Sequence, residues 1–255
     1  MMSSLTFYII YFGLLISDLI LIISHPEGFW RPFFEPLMIL LLLFHFRQNH
    51  KEDNTCNPKQ VQIALVSIIL GGLFLMNSLP VYSFLAGFCF FLLANILYTI
   101  LFYRCADLRV KRAIPFIVIA SVLSMILLYV FYEHLGDYFI PASFYIFVLL
   151  NCMQAAFLRY KVVNDNSFYL TFIGMVLFFI SQVAAAFYHF IDHSTALKFI
   201  VIISFFLSQF LIVKGVLINT REPEDIPGMP AIPKSPLSPE NSMKTKPQAG
   251  DSRLG

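Results

Sequence analysis

The sequence predicts an all-α polytopic membrane bundle of about eight transmembrane helices, and three observations predict it. Of 255 residues, 58% are hydrophobic and only 13% charged, against roughly 45–50% and about 25% in soluble domains. The charges gather in short clusters between long runs rich in Phe, Leu and Ile. Those runs approach the ~20 residues a helix needs to cross the hydrocarbon and are too long for the ~10-residue strands of a barrel.

The expected helices lie at about 5–24, 32–47, 61–79, 82–104, 113–132, 139–158, 168–190 and 196–218. The first has no Lys or Arg before it and no small-residue cleavage site after it, so it reads as a retained helix rather than a signal peptide. The second is short and starts near Trp30, Pro32 and Pro36. That fits either a tilted span or an interfacial start anchored by the tryptophan. The other six are closed by charged or turn-forming clusters.

Orientation follows from the basic residues, which are retained on the cytoplasmic side. Arg47, Lys51 and Lys59 follow helix two; Arg104, Arg109, Lys111 and Arg112 follow helix four; Arg159 and Lys161 follow helix six. The alternate loops hold Arg31 in one case and Glu133, His134 and Asp137 in another. Eight spans with this pattern place both termini in the cytoplasm. Residues 1–218 form the bundle. From Asn219 onward hydropathy collapses, and Pro227, Pro230, Pro233, Pro236 and Pro239 recur every third residue. That is the polyproline II period, so residues 219–255 are expected to be a disordered cytoplasmic tail whose protein partner, if it has one, is unknown.

A net charge of +2 offers no field for nucleic acid. Cys56, Cys89, Cys105 and Cys152 lack metal-ligand spacing and read as free thiols. Tyr188, His189, Asp192 and His193 cluster near the end of helix seven without a defined ligand pattern, so neither a metal nor a cofactor is expected. Phosphate loops, serine elbows and metalloprotease helices are absent from the sequence.

Polar groups inside spans are costly unless paired and mark either helix contacts or a site. Asp18 is the one carboxylate well inside a span, and Glu35 lies near the start of helix two. These are the candidate catalytic residues. The amides are Asn77, Asn95, Asn151, Gln154, Gln182 and Gln209. Asn95 and Tyr98 are three apart on helix four, as are Asn151 and Gln154 on helix six, so each pair shares a face that would line a polar cavity or bond a neighbouring helix.

Four segments in order resemble the YhhN-like lysoplasmalogenase family. Phe34-Glu35-Pro36-Leu37 stands where the family usually shows Lys-Pro-Leu, and the stretch from Ala64 to Leu75 is similar to a family run of Ala-Leu, Ser and Gly-Asp. The stretch from Gly87 to Tyr98 is similar to one with Phe, then His and a nearby Tyr. Gly174 to Gln182 is similar to a Gly, Phe and closing Ser-Asp, with Gln209 in a Tyr-x-x-Gln-like region. The resemblance covers residues 1–218 and, with Asn151 and Gln154 added from their shared face, gives a substrate-binding set of Gly72, Asn95, Tyr98, Asn151, Gln154, Gln182 and Gln209, with a membrane lipid or single-chain amphiphile as partner. It also implies hydrolysis of the vinyl ether of lysoplasmalogens, and the cytoplasmic membrane as the location if the source is bacterial. That chemistry needs an acid to protonate the alkene carbon and a carboxylate to steady the oxocarbenium ion and activate water. The family's aspartates look like that pair, yet their positions here hold Gly72 and Gln182, and its helix-four His position holds Asn95. Neither glycine nor glutamine titrates. Three functions compete: a hydrolase with its acid moved to Asp18 or Glu35, a non-catalytic lipid binder or sensor, and a small-solute transporter. The chain lacks the internal symmetry that favours the last.

Overall fold

A computed structural model describes residues 4–24, 31–50, 57–76, 81–107 and 109–218. Trp30, Lys51, Cys56, Asn77 and the proline-rich stretch lie outside them. The described residues all fall in one unit of the chain, Met1–Glu222, and Pro223–Gly255 lies wholly outside them.

Among the described residues the regular structure is helical throughout: α1 (Ser4–Ser24), α2 (Arg31–Asn49), α3 (Pro58–Met76), α4 (Val81–Tyr103), α5 (Val110–Leu135), α6 (Phe139–Phe157), α7 (Asp165–Phe190) and α8 (Thr195–Leu217), with a 3-10 turn, Gly136–Tyr138, between α5 and α6. Local chemistry sets several starts. Pro58 opens α3, where its missing N–H costs nothing, and the Asn57 side chain accepts from Lys59 N. Asn164 and Ser194 cap α7 and α8 by accepting from Asn166 N and Leu197 N.

The protein is a multi-pass membrane bundle. Among the described residues six stretches are long and apolar enough to cross a bilayer: Leu5–Ser24, Pro58–Leu75, Ser83–Tyr103, Lys111–Phe157, Asp165–Phe190 and Thr195–Leu217. The fourth, 47 residues long, contains both α5 and α6, because the turn between them interrupts the helix without breaking the apolar run. These stretches therefore hold seven helices, which corrects the expected eight. The eighth α-helix is α2, whose Glu35, His45 and Arg47 dilute its apolarity.

Packing nevertheless gives α2 an essential place. Six helices close a ring in the order α2, α3, α4, α6, α7, α8, and back to α2; α1 packs outside on α2 and α8, and α5 outside on α6 and α7. The buried core runs through all six and reaches α1 at Phe7, Tyr11, Leu15 and Ile22. Large exposed side chains such as Met125, Tyr129, Ile140 and Phe147 point outward, as lipid-facing residues do.

The basic residues Arg47, Lys59, Arg104, Arg109, Lys111, Arg112, Arg159, Lys161 and Lys214 lie at one end of the ring. There Asp107 accepts from Arg109 N and from the Arg109 guanidinium at 2.8 Å, and Arg112 sits 3.1 Å away. Burial opposes ionisation of Asp107, but the Arg109 hydrogen bonds and the charges of Arg109 and Arg112 hold its carboxyl below the usual range. The Asp107 backbone N–H donates to Leu158 O at 2.9 Å, which joins the α4–α5 and α6–α7 connections. Arg159 was expected as a loop charge and is instead fully buried. Its guanidinium donates to Ser167 Oγ at 3.1 Å and lies 5.3 Å from the Phe102 ring centre. A cation needs such partners when it leaves water.

Candidate functional site

The backbone seams decide where polar side chains can meet. Glycines bring α3 onto α4: a Cβ on Gly71 would stand 2.8 Å from Phe91 Cδ2 and 3.1 Å from Gly87 O. Gly174 and Gly215 do the same for α7 and α8. Helices this close exchange hydroxyl-to-carbonyl bonds, Ser167 Oγ donating to Gly215 O at 2.7 Å and Ser181 Oγ to Val201 O at 3.1 Å.

Two polar bridges start from one face of α4. Asn95 is fully buried and donates through Nδ2 to Phe91 O at 3.0 Å and to Tyr145 Oη of α6 at 3.3 Å. Tyr145 in turn donates to Gln182 Oε1 of α7 at 2.8 Å. One turn further along α4, the buried Tyr98 donates to Gln209 Oε1 of α8 at 3.0 Å. That second bridge joins opposite sides of the ring through its interior, and Gln209 is itself fully buried. The shared face of Asn95 and Tyr98 is thus turned inward.

The other predicted residues are placed by register. Phe7 of α1 stacks on His45 of α2 at 3.8 Å. Moving eleven residues on from Phe7 reaches Asp18, and ten back from His45 reaches Glu35, about 15–17 Å along each antiparallel helix. Glu35 and Gly72 each lie fourteen residues from the ends of α2 and α3 that share a connection, about 21 Å along each. Tyr11 Oη donates to Phe206 O at 2.8 Å, which brings Asp18 level with the region of Val201 and its partner Ser181. Asp18, Glu35, Gly72, Ser181 and Gln182 therefore share one depth, in the half of the ring farther from the basic loops. Asp18 is fully buried and Glu35 half-buried.

Gly72 continues the α3 stripe of Val61, Leu65 and Ile68, whose side chains are 0%, 0% and 2% exposed. Yet a Cβ on Gly72 would meet nothing within 4 Å among the described residues. The stripe is filled nearer the basic end and open at the depth of the two carboxylates.

Asn151 and Gln154 are not brought to these bridges. Asn151 donates to Phe147 O on its own helix and follows the exposed stripe of Phe144 and Phe147. Gln154 lies between that stripe and Phe157, which stacks on Phe116 of α5 at 5.6 Å. The other side of α6 makes the interior, through Tyr145, Leu149 and Cys152. Tyr145 is the residue that the amide pattern missed. A tyrosine in mid-span, away from the aromatic belt at the interfaces, is the signal that would have found it.

No group of three His, Cys, Asp or Glu residues suited to a metal gathers among the described residues. Cys89 and Cys152 are free thiols. A model of the YhhN family matches residues 30–216, from α2 to α8. Neither the curated proteins nor the solved structures yield a match.

Proposed function

The chain belongs to the YhhN family, and from that premise we infer that it takes a single-chain amphiphile of lysolipid type into its ring of helices. The observation that carries this reading is the Asn95–Tyr145–Gln182 bridge, whose Gln182 end lies at the depth where the α3 stripe opens at Gly72. A lysolipid needs an apolar channel for one chain and a few fixed polar groups where chain meets glycerol. An apolar interior with a small number of convergent polar groups has that character. Ligand bound to the folded state alone raises thermal stability. Purified protein should therefore melt higher with a lysolipid and unchanged with a matched two-chain lipid. Equal shifts from both would end this reading.

A second reading is favoured by the common depth of Asp18 and Glu35 with Gly72 and Gln182: these carboxyls replace the missing acid pair, and the protein hydrolyses lysoplasmalogens. One carboxyl would protonate the alkene carbon. The other would direct water to the oxocarbenium ion, and the resulting hemiacetal would break into a fatty aldehyde and a glycerophospho head group. An aldehyde-release assay separates the readings. Activity lost in Asp18→Asn makes the protein a hydrolase, whereas lysolipid binding without aldehyde leaves it a binder. Gly72→Asp with Gln182→Asp then tests whether the family positions still face the ligand. Activity that appears only in this double variant would show that they do.

A further inference from the structure

Resting on the reading that the interior holds a single-chain amphiphile, we propose that Asn95 selects its ligand through a hydrogen-bond donor, the free glycerol hydroxyl that a lysolipid has and a two-chain lipid lacks. The amide's orientation is fixed by its neighbours. Tyr145 gives its only proton to Gln182 Oε1 at 2.8 Å. Its oxygen must then receive from Asn95, so the side of the Asn95 amide at 3.3 Å from it is the N–H side. The second N–H goes to Phe91 O at 3.0 Å. Turning the amide over would set its oxygen against the Phe91 carbonyl and leave the phenol oxygen without a donor.

Oδ1 is therefore the free end of the chain, and it has no donor among the described residues although Asn95 is 0% exposed. Nearby hydroxyls are committed. Thr99 donates to Asn95 O at 2.7 Å, and Tyr98 donates to Gln209 Oε1 at 3.0 Å. An acceptor buried inside a membrane helix ring is costly to leave unmet, because water is scarce there. A neutral O–H satisfies it without bringing a charge to that depth. An ester or ether at the same glycerol position offers only acceptors, and placing one against Oδ1 leaves two acceptors facing each other. Rejection of this kind comes from the unpaired group and discriminates more strongly than shape alone.

The test uses the full chain in two-chain phosphatidylcholine nanodiscs. It follows thermal shift against three single-chain ether phosphocholines that carry hydroxyl, methoxy or hydrogen at the middle glycerol carbon. The choline head group has no N–H, so the hydroxyl is the only donor in the set. The hydroxyl compound should half-saturate at a concentration roughly tenfold lower than the other two, as one hydrogen bond to a buried group implies, and Asn95→Leu should bring the three together. If Asn95→Leu does not fold, Tyr145→Phe frees the amide to turn and should reduce the same discrimination. Equal half-saturation of all three in the wild type would overturn the proposal and leave the lysolipid reading standing, with a water molecule as the donor. Absence of any shift would overturn the lysolipid reading and this proposal with it. Discrimination that persists in both variants would remove Asn95 from the role.

Discussion

The α7–α8 seam and the outer part of the α3 stripe both contain glycine, yet among the described residues one is sealed and the other open. At Gly215 an added Cβ would stand 2.9 Å from Thr171 N and 3.1 Å from Ser167 O, with the Thr171 hydroxyl closer still; at Gly174 it would stand 3.0 Å from both Ile212 N and Ser208 O. Backbone atoms cannot step aside, so these glycines are what allows the two helices to touch. At Gly72 nothing among the described residues stands within 4 Å. The same residue type thus marks a contact in one place and unfilled space in another, and only the neighbouring helix tells them apart.

Gly215→Ala should break the sealed seam and have the largest effect. The new methyl meets the Thr171 hydroxyl and, behind it, backbone that cannot turn away, and overpacking of this kind costs about 1–3 kcal/mol. The bond from Ser167 to Gly215 O at 2.7 Å would lengthen as the helices part. A clearly lower melting temperature in detergent is expected. Wild-type stability would mean that α7 and α8 can separate freely and that the seam is not a constraint.

Tyr98→Phe sharpens the contrast between seams and interior. It removes the proton given to Gln209 Oε1 across the ring at 3.0 Å while keeping the ring that stacks on Phe102 at 5.9 Å. Interhelical hydrogen bonds in membranes average about 0.6 kcal/mol and reach about 1.7. The full burial of both partners puts this one at the upper end. The loss should be smaller than that of Gly215→Ala and measurable in the same melt. A loss as large as the glycine's would show that the bridge, rather than the seams, holds the ring closed.

The sequence made the bundle legible because spanning helices must carry their apolarity continuously. All eight helices were placed within about three residues, even though the length and apolarity criterion credits only seven of them. The start of α5 came out at Val110 rather than 113, because Lys111 and Arg112, read as loop charges, form its first turn. Half of the interior was legible too. Asn95 and Tyr98 share a face by spacing alone, and that face is the inner one. Asn151 and Gln154 satisfy the same rule on α6 and face elsewhere, because spacing says which residues lie together and not which neighbour they meet. Tyr145 escaped for the opposite reason: its importance lies in partners 50 and 37 residues away, which no local pattern reveals. The shared depth of Asp18, Glu35 and Gly72 likewise needs the register between helices, which Phe7 and His45 supply.

The smallest expected effect falls at Gly72. Alanine is favoured over glycine in a helix by up to about 1 kcal/mol in water, and the methyl at this position would clash with none of the described residues. Gly72→Ala should therefore keep the wild-type melting temperature or raise it slightly, in contrast with Gly215→Ala. Gly72→Leu carries the comparison from stability to function. Its side chain would extend into the space at the depth of Asp18 and Glu35, so lysolipid should bind more weakly although the protein alone stays folded. Weaker binding at unchanged stability assigns that space to the ligand. If Gly72→Ala instead destabilises as Gly215→Ala does, the outer part of the α3 stripe is filled in the membrane, and the lipid chain must lie elsewhere in the ring.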